Sequence, residues 1–533
     1  MKRLILFGAL CLPAFLAGCI HNDLPYPVVT INIEAIEAEG LDGAAQINAA
    51  QQTVILPLLE TTDIRNVHIT SVTLTEGGQS SVAFPGTFDL RTPLYTTLSL
   101  YQEYGWSIAA TQTIERYFRV KKQVGAAEID PANRTATAYV SRSTDLQNVP
   151  VKELKLGPAG ITTYSPEIEG TTSFETVRLV DVTAHGRTEQ WRLRVVPTDV
   201  TVRITQCDAW ARIAWLAADG LSDTEMGFVY RRKGDTEWLA VPDVEIEGGT
   251  FRAKLAGLDP ETTYELKAFS DTDRSNVREF TTEAALQLPN AGFETWSTDR
   301  SDILYPYAAD APLAEQFWGS GNPGSMTLKK LVTTNEKDPR PGSEGQYCAQ
   351  LKSQYVAFLG VGKFAAGNLF SGHYAETKGT DGIVNFSQPF TSRPVALHGW
   401  VKYNRGKMDY IKGSPMGMSF AKGDPDEGII YMALGRWTAA EYGGTEQSPV
   451  QVYTRDTKTF FDPEGKDVIA YGEVVFTTSV DEWREFTVKL DYTATDVVPT
   501  HLMIVCSASR YGDYFTGSSD SVMWVDDFEL VYE

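Results

Sequence analysis

Beyond Val28 the chain reads as short runs in which apolar and polar residues alternate, separated by Gly, Pro, Asn and Asp. A period of two marks strands with one buried face, and the 3.6-residue period of amphipathic helices is scarce. In residues 397–403, Leu397, Gly399, Val401 and Tyr403 share one face and His398, Trp400 and Lys402 the other. In the final run Trp524, Phe528 and Leu530 are expected to point inward, with Asp526 on their side. The predicted fold class is all-β and multidomain, a series of β-sandwiches.

An internal repeat sets the first boundaries. Gly43-Ala44-Ala45-Gln46-Ile47-Asn48 returns 82 residues later as Gly125-Ala126-Ala127-Glu128-Ile129-Asp130. Asp63-Ile64-Arg65-Asn66-Val67 returns at the same offset as Asp145-Leu146-Gln147-Asn148-Val149, and Trp106 and Trp191 lie 85 apart. Such a period, filled with short strands, suits a small sandwich of immunoglobulin type, in two copies at 28–112 and 113–197. Residues 198–284 read as a third sandwich, with Ala211, Ile213 and Trp215 on one face and Trp215 as the expected core indole. Its segment Leu258-Asp259-Pro260-Glu261-Thr262-Thr263-Tyr264-Glu265-Leu266-Lys267-Ala268 resembles the fibronectin type III family. That resemblance implies a spacer or binding module, with Tyr264 as a tyrosine corner whose hydroxyl bonds back to the main chain.

The first twenty residues break the pattern. Lys2 and Arg3 precede an apolar stretch at 4–17, too short to span a ~30 Å hydrocarbon core and interrupted by Pro13. It ends in Leu16-Ala17-Gly18-Cys19, which resembles a bacterial lipoprotein box. The resemblance implies removal of residues 1–18, lipidation of Cys19 and a tether at 19–27. Two or three acyl chains on one residue anchor stably where one is marginal. The expected location is the cell envelope, lipid-anchored to the outer membrane, with its face unresolved. Of the five cysteines, Cys207, Cys348 and Cys506 remain, and buried free thiols are expected at Cys348 and Cys506 rather than a disulfide.

A formal charge of −22 offers nothing to phosphate backbones, so nucleic acid is not an expected partner. The six histidines form no His-x-x-x-His pair, which disfavours a zinc protease. Gly319-Ser320-Gly321-Asn322-Pro323-Gly324 spells Gly-x-Gly-x-x-Gly without the strand and helix that dinucleotide binding needs.

The block 287–533 carries the function. It opens with Leu288-Pro289-Asn290-Ala291-Gly292-Phe293-Glu294 and closes with Trp524-Val525-Asp526-Asp527-Phe528-Glu529-Leu530. Between them lie Phe317-Trp318-Gly319-Ser320-Gly321-Asn322, Ala366-Gly367-Asn368-Leu369-Phe370-Ser371-Gly372, Arg393-Pro394 and Trp483-Arg484-Glu485-Phe486. Together they resemble the carbohydrate metabolism domain of Bacteroidetes lipoproteins, which implies a jelly roll related to carbohydrate-binding modules. Glu294 and Asp526, brought together by neighbouring first and last strands, suit a structural Ca²⁺; Lys, Arg or backbone amides would satisfy them equally well.

Sugars stack on aromatic rings and bond to planar amides, carboxylates and Arg. The candidate ligand-binding residues are Trp400, Trp318, Asn322, Asn368, Arg393 and Trp437, with Tyr403, Tyr431, Tyr514, Arg436 and Asp513 as further possibilities. Trp400, on the Lys-bearing face, ranks first. No catalytic pair is assigned, since a glycosidase needs two carboxylates ~5–9.5 Å apart. The cluster Asp424-Pro425-Asp426-Glu427-Gly428 reads as a solvated turn. The leading expectation is a membrane-anchored lipoprotein that binds a polysaccharide, alongside outer-membrane glycan-uptake partners. A glycoside hydrolase or lyase on the same jelly roll, or an adhesin or pilus-like structural protein, are the competing readings.

Overall fold

The computed structural model describes residues 31–49, 51–168, 170–358, 361–415 and 418–533. The signal segment, Cys19 and the tether lie outside the described residues. The described chain is a multidomain all-β protein built from mainly antiparallel sheets with few helical turns. No helix among the described residues is long and apolar enough to cross a membrane.

The chain divides into two compact units, residues 1–112 and 113–533. In the first unit, a three-stranded sheet faces a five-stranded sheet in which Thr53–Leu58 runs parallel to Glu103–Gln112. Ile33, Val54, Leu56 and Ile108 fill its core around the buried Trp106. The second unit opens with a sandwich of the same design: Thr135–Ser141 runs parallel to Arg187–Thr198, and Trp191 is buried. The parallel partners Thr53 and Ser107 correspond to Thr135 and Arg192, at offsets of 82 and 85 residues.

A third sandwich follows. Its core is Ala214, Leu216, Ala218 and Phe228, with Tyr264, whose hydroxyl accepts the Asp259 amide at 2.9 Å. Trp215 is not its core indole: in Ile213–Asp219 the inward phase falls on Ala214, Leu216 and Ala218. With a side-chain period of two, this one-residue difference turns Trp215 outward against Trp210 and Lys254. The second and third sandwiches meet backbone to backbone, where Gly125 donates toward the Gly220 and Gly249 carbonyls. A Cβ on Gly249 would come within 2.7 Å of the Gly125 nitrogen, so only glycine permits the approach.

The C-terminal domain is a larger two-sheet sandwich. One sheet takes the order Val450–Tyr453, Asp381–Phe386, Asn368–Lys378, His501–Ser507, Gly428–Gly435, Val468–Phe476, Asp491–Tyr492, with Trp318–Ser320 and Gln388–Pro389 as side branches. The other runs Thr333–Glu336, Cys348–Lys352, Val522–Val531, Ala396–Asn404, Val480–Lys489. Leu369, Leu397, Val401, Ile430, Met432, Ile504, Val525 and Phe528 meet between them. Each such side chain contributes roughly 1.5–3 kcal/mol by leaving water. The opening segment lies beside the last strand: Phe528 donates its amide to Ala291, and the Gln287 side chain bonds the Leu530 backbone in both directions. Cys207, Cys348 and Cys506 are free thiols, the last two buried.

The last strand is bulged. Trp400 pairs with Asp526 and His398 with Glu529, so Asp527 and Phe528 together oppose Gly399. Asp527 sits at φ 45°, a conformation Asp tolerates better than most residues. The extra residue reverses the facing along the strand. Met523 and Val525 point inward before it, Phe528 and Leu530 after it, and Trp524 and Asp526 fall on the other face. The expected inward Trp524 is corrected by this bulge.

Arg393 fastens the third sandwich to the C-terminal one. It was a sugar-binding candidate, but its guanidinium is buried and fully engaged. It pairs with Glu283 at 2.7 Å, donates to the Ala209 carbonyl at 2.8 Å and to the Thr495 carbonyl, and lies 5.2 Å from the centre of the Trp210 ring. Trp210 donates to the Thr495 carbonyl at 3.0 Å and packs 4.5 Å from the Tyr492 ring. Removing one partner of a buried pair strands the other, at a cost of about 3–5 kcal/mol. Arg393→Ala is expected to destabilise the second unit by that amount in chemical denaturation, and a loss under 1 kcal/mol would show that Glu283 finds another partner.

Candidate functional site

Two surfaces of the C-terminal sandwich carry clustered chemistry. The first is the outer face of the five-stranded sheet, where Trp400, Lys402, Trp483 and Trp524 lie half-buried. Lys402 sits 5.1 Å from both the Trp483 and Trp524 rings and is paired with Asp338. The Arg340 guanidinium lies 5.0 Å from the Trp400 ring. Each of these indoles holds a cation against its ring. Trp400, ranked first as a sugar platform, has the Arg340 guanidinium there.

The carboxylates expected to bind calcium occupy the same corner. Each Glu294 oxygen accepts a backbone amide at 2.9 Å, from Gln346 and from Tyr347. Asp526 accepts the Arg340 and Asp527 amides at 2.8 and 2.9 Å, and Asp527 takes the Arg340 side chain at 2.6 Å. Burial pushes the Asp526 carboxyl up to about 6, with the Asp527 and Glu294 charges adding to the rise. Among the described residues no group of three His, Cys, Asp or Glu is arranged to hold a metal.

The second surface is a cavity of about 460 Å³ on the outer face of the large sheet. Its origin lies in strand alternation. In Gly428–Gly435 and His501–Ser507, Ile430, Met432, Ile504 and Cys506 enter the main core, so Ile429, Tyr431, Val505 and Ser507 project from the opposite face. Phe370, Phe386 and Val384 join them from neighbouring strands. Part of this second apolar face is covered by Trp437, Tyr442, Phe460 and Phe461. The uncovered part is the cavity floor.

The walls add rings and polar groups. Tyr374 lines one side, its hydroxyl 2.7 Å from the Thr377 hydroxyl. Gly324 makes room for it, since a Cβ there would come within 2.6 Å of the phenol oxygen. Phe364, Phe515, Asn368, Lys363, Arg510 and Asp513 complete the rim. Asn368 accepts the Gly321 amide at 2.7 Å, which fixes its planar amide at the edge. Arg510 is held by Glu427 and Glu473 at 3.2 and 3.3 Å. Asp513, on the turn Gly512–Tyr514, is exposed, and desolvation by the chain around it pushes its carboxyl up to about 6. It is the one carboxylate among the lining residues. The neighbouring Tyr431 phenol is raised well above its usual value, chiefly by burial and next by the Asp513 charge.

Of the residues expected to hold a sugar, Asn368, Tyr431 and Asp513 line this cavity. Trp318 and Trp437 do not: both are buried in apolar clusters, and the Trp318 ring nitrogen bonds the Pro289 carbonyl at 2.9 Å. Asn322 is buried too, its amide spent on Leu304, Val332 and Thr333 backbone groups. Tyr403 is core, Tyr514 stands on the Asp513 turn, and Arg436 is exposed away from the lining. Asp426 is no solvated turn residue. It is buried, accepting Ser509 and Ser521 hydroxyls at 2.6 and 2.7 Å and the Ser518 amide at 2.8 Å. Lys363, Tyr374, Arg510 and Phe515 were missed; the density of charge and rings in Arg510-Tyr511-Gly512-Asp513-Tyr514-Phe515 was the available signal.

Residues 292–531 match the family described as "Putative carbohydrate metabolism domain". The C-terminal domain, cavity included, is thus carbohydrate-related in sequence. No curated protein matches the chain. Among solved structures, it is similar to one titled a putative glycoside hydrolase from Bacteroides thetaiotaomicron, at 17% identity and TM-score 0.31, covering 78% of this chain and 96% of that one. Another of the same description, from Bacteroides vulgatus, gives 22% identity and TM-score 0.33, covering 45% and 97%. Likeness at this level says nothing of what this chain acts on.

The Asp513 carboxyl also yields a pH signature. At about 6 it lies above its unfolded value of ~3.9, so the folded chain holds a proton that the unfolded chain has released between those values. Its contribution is therefore unfavourable at pH 7 and relieved as pH falls through 6 toward 4. Asp513→Asn is expected to melt higher than the parent at pH 7.5 and to match it near pH 4; a difference independent of pH would contradict the assignment.

Proposed function

We propose that the chain is a glycan-binding lipoprotein of the cell envelope, anchored through Cys19 to the outer membrane, whose C-terminal sandwich receives a polysaccharide in the cavity floored by Tyr431 and Val505. The observation that carries this reading is the cavity itself. Rings at Tyr374 and Phe515 stand beside a planar amide at Asn368 and a carboxyl at Asp513, within the segment matched to a carbohydrate-related family. Rings stack on pyranose faces while the amide and carboxyl take hydroxyls. The sandwiches before it serve as spacers, and outer-membrane glycan-uptake proteins are the proposed partners.

Binding is favoured over hydrolysis because a glycosidase needs a second carboxylate across the sugar, and Asp513 alone lines the cavity. Affinity gels and calorimetry with a polysaccharide panel test this. Tyr374→Ala is expected to weaken binding about tenfold, or ~1.4 kcal/mol, with no reducing ends released on long incubation. Released reducing ends would replace binding by hydrolysis. Retention by no glycan would favour the adhesin reading.

Calcium at Glu294 and Asp526 is a separate proposal about stability. It is supported by the mutual repulsion of Glu294, Asp526 and Asp527, which a hard cation would offset. A ligand bound only by the folded state raises its melting temperature. Chelation is expected to lower that temperature by several degrees, and an unchanged curve would leave the backbone amides and Arg340 as the only partners of this corner.

A further inference from the structure

Two lysines converge on one aromatic ring, Phe515, at the edge of the cavity. Lys363, on the strand Val361–Ala365, places its ammonium 4.0 Å from the centre of the Phe515 ring. Lys412, from a separate loop, places its own 4.8 Å from the same centre. The Lys412 backbone is tied to the Phe515 loop through the Thr516 hydroxyl, which accepts its amide at 3.2 Å. Two ammonium groups are thus held on one ring at the cavity edge.

Their partners are unevenly shared. Asp381 pairs with Lys363, and both side chains are largely buried. Among the described residues no carboxylate forms an ion pair with Lys412, whose side chain is exposed to solvent. The other cation at the rim, Arg510, is already held by Glu427 and Glu473. Burial lowers the Lys363 ammonium pKa, and repulsion from Lys412 lowers it further. Of these cations Lys412 is the one that no ion pair among the described residues engages, in a chain of net charge −22. An anionic group seated between the two ammoniums would relieve their repulsion and gain charge-assisted hydrogen bonds. Asp513 sits two residues before Phe515 on the other side of the turn, so the same wall offers an acceptor to sugar hydroxyls nearby.

We propose that the cavity is selective for acidic glycans, taking the carboxylate or sulfate of a sugar between Lys363 and Lys412. This rests on the glycan-binding reading above. The anion can come from a uronic acid or a sulfate ester, and the probes separate the two.

The test uses calorimetry on the full chain at pH 7 and low salt. The probes are oligomers of galacturonate, of mannuronate and guluronate, and of chondroitin with and without sulfate, each beside its carboxyl-reduced counterpart, plus neutral oligosaccharides. An acidic oligomer is expected to bind at least tenfold more tightly than its reduced form. Lys412→Gln should erase that preference while leaving neutral binding unchanged, Lys412→Arg should keep it, and rising salt should weaken only the acidic ligand. A preference confined to sulfated chondroitin would assign a sulfate ester, and one shared by the unsulfated oligomers a uronate. Equal binding of acidic and reduced oligomers would overturn the selectivity and leave glycan binding standing. Binding of no probe, neutral or acidic, would overturn both.

Discussion

The C-terminal domain is governed by one constraint: its large sheet is apolar on both faces. Strands such as Gly428–Gly435 and His501–Ser507 send alternate side chains into two different apolar layers. The smaller sheet covers one layer. The other is covered only in part, by the segment bearing Trp437, Phe460 and Phe461. What stays uncovered is a concave apolar floor, and the loops around it supply the charged and hydrogen-bonding groups. The cavity is thus a consequence of incomplete cover over a doubly apolar sheet.

The same domain uses its other outer face differently. There the indoles of Trp400, Trp483 and Trp524 are paired with Arg340 and Lys402, and the acidic groups beside them accept backbone amides. The indoles and basic groups of that face are paired with one another within the protein. At the cavity and its edge, by contrast, Tyr374, Asp513 and Lys412 retain surface or charge that contacts within the chain do not use up. This difference separates a structural face from a receptive one more sharply than residue type does.

Arg393 and Trp210 add a mechanical element. Their shared contacts with Glu283, Thr495 and Tyr492 join the third sandwich to the C-terminal one through buried groups rather than a loose linker. The backbone contact at Gly125 and Gly249 does the same between the second and third. These junctions explain why residues 113–533 form one compact unit. A residue such as Arg393, whose chemistry suits a sugar equally well, is diverted to this task by burial.

The all-β class was legible in the sequence because alternation of apolar and polar positions is a local property, and the 82-residue repeat needs only comparison of the chain with itself. Which face of a strand turns inward was less secure. Ile213–Asp219 adopts the other phase, and the bulge at Asp527 reverses the last strand midway, because a single residue exchanges the two faces. The site was least legible. Trp318, Trp437, Asn322 and Arg393 have the right chemistry, but burial and hydrogen-bond partners decide whether that chemistry is free, and those belong to distant parts of the chain. Lys363, Tyr374 and Asp513 come from separate loops and strands, and only the closing of the sheets brings them around one cavity, with Lys412 beside it on the Phe515 ring.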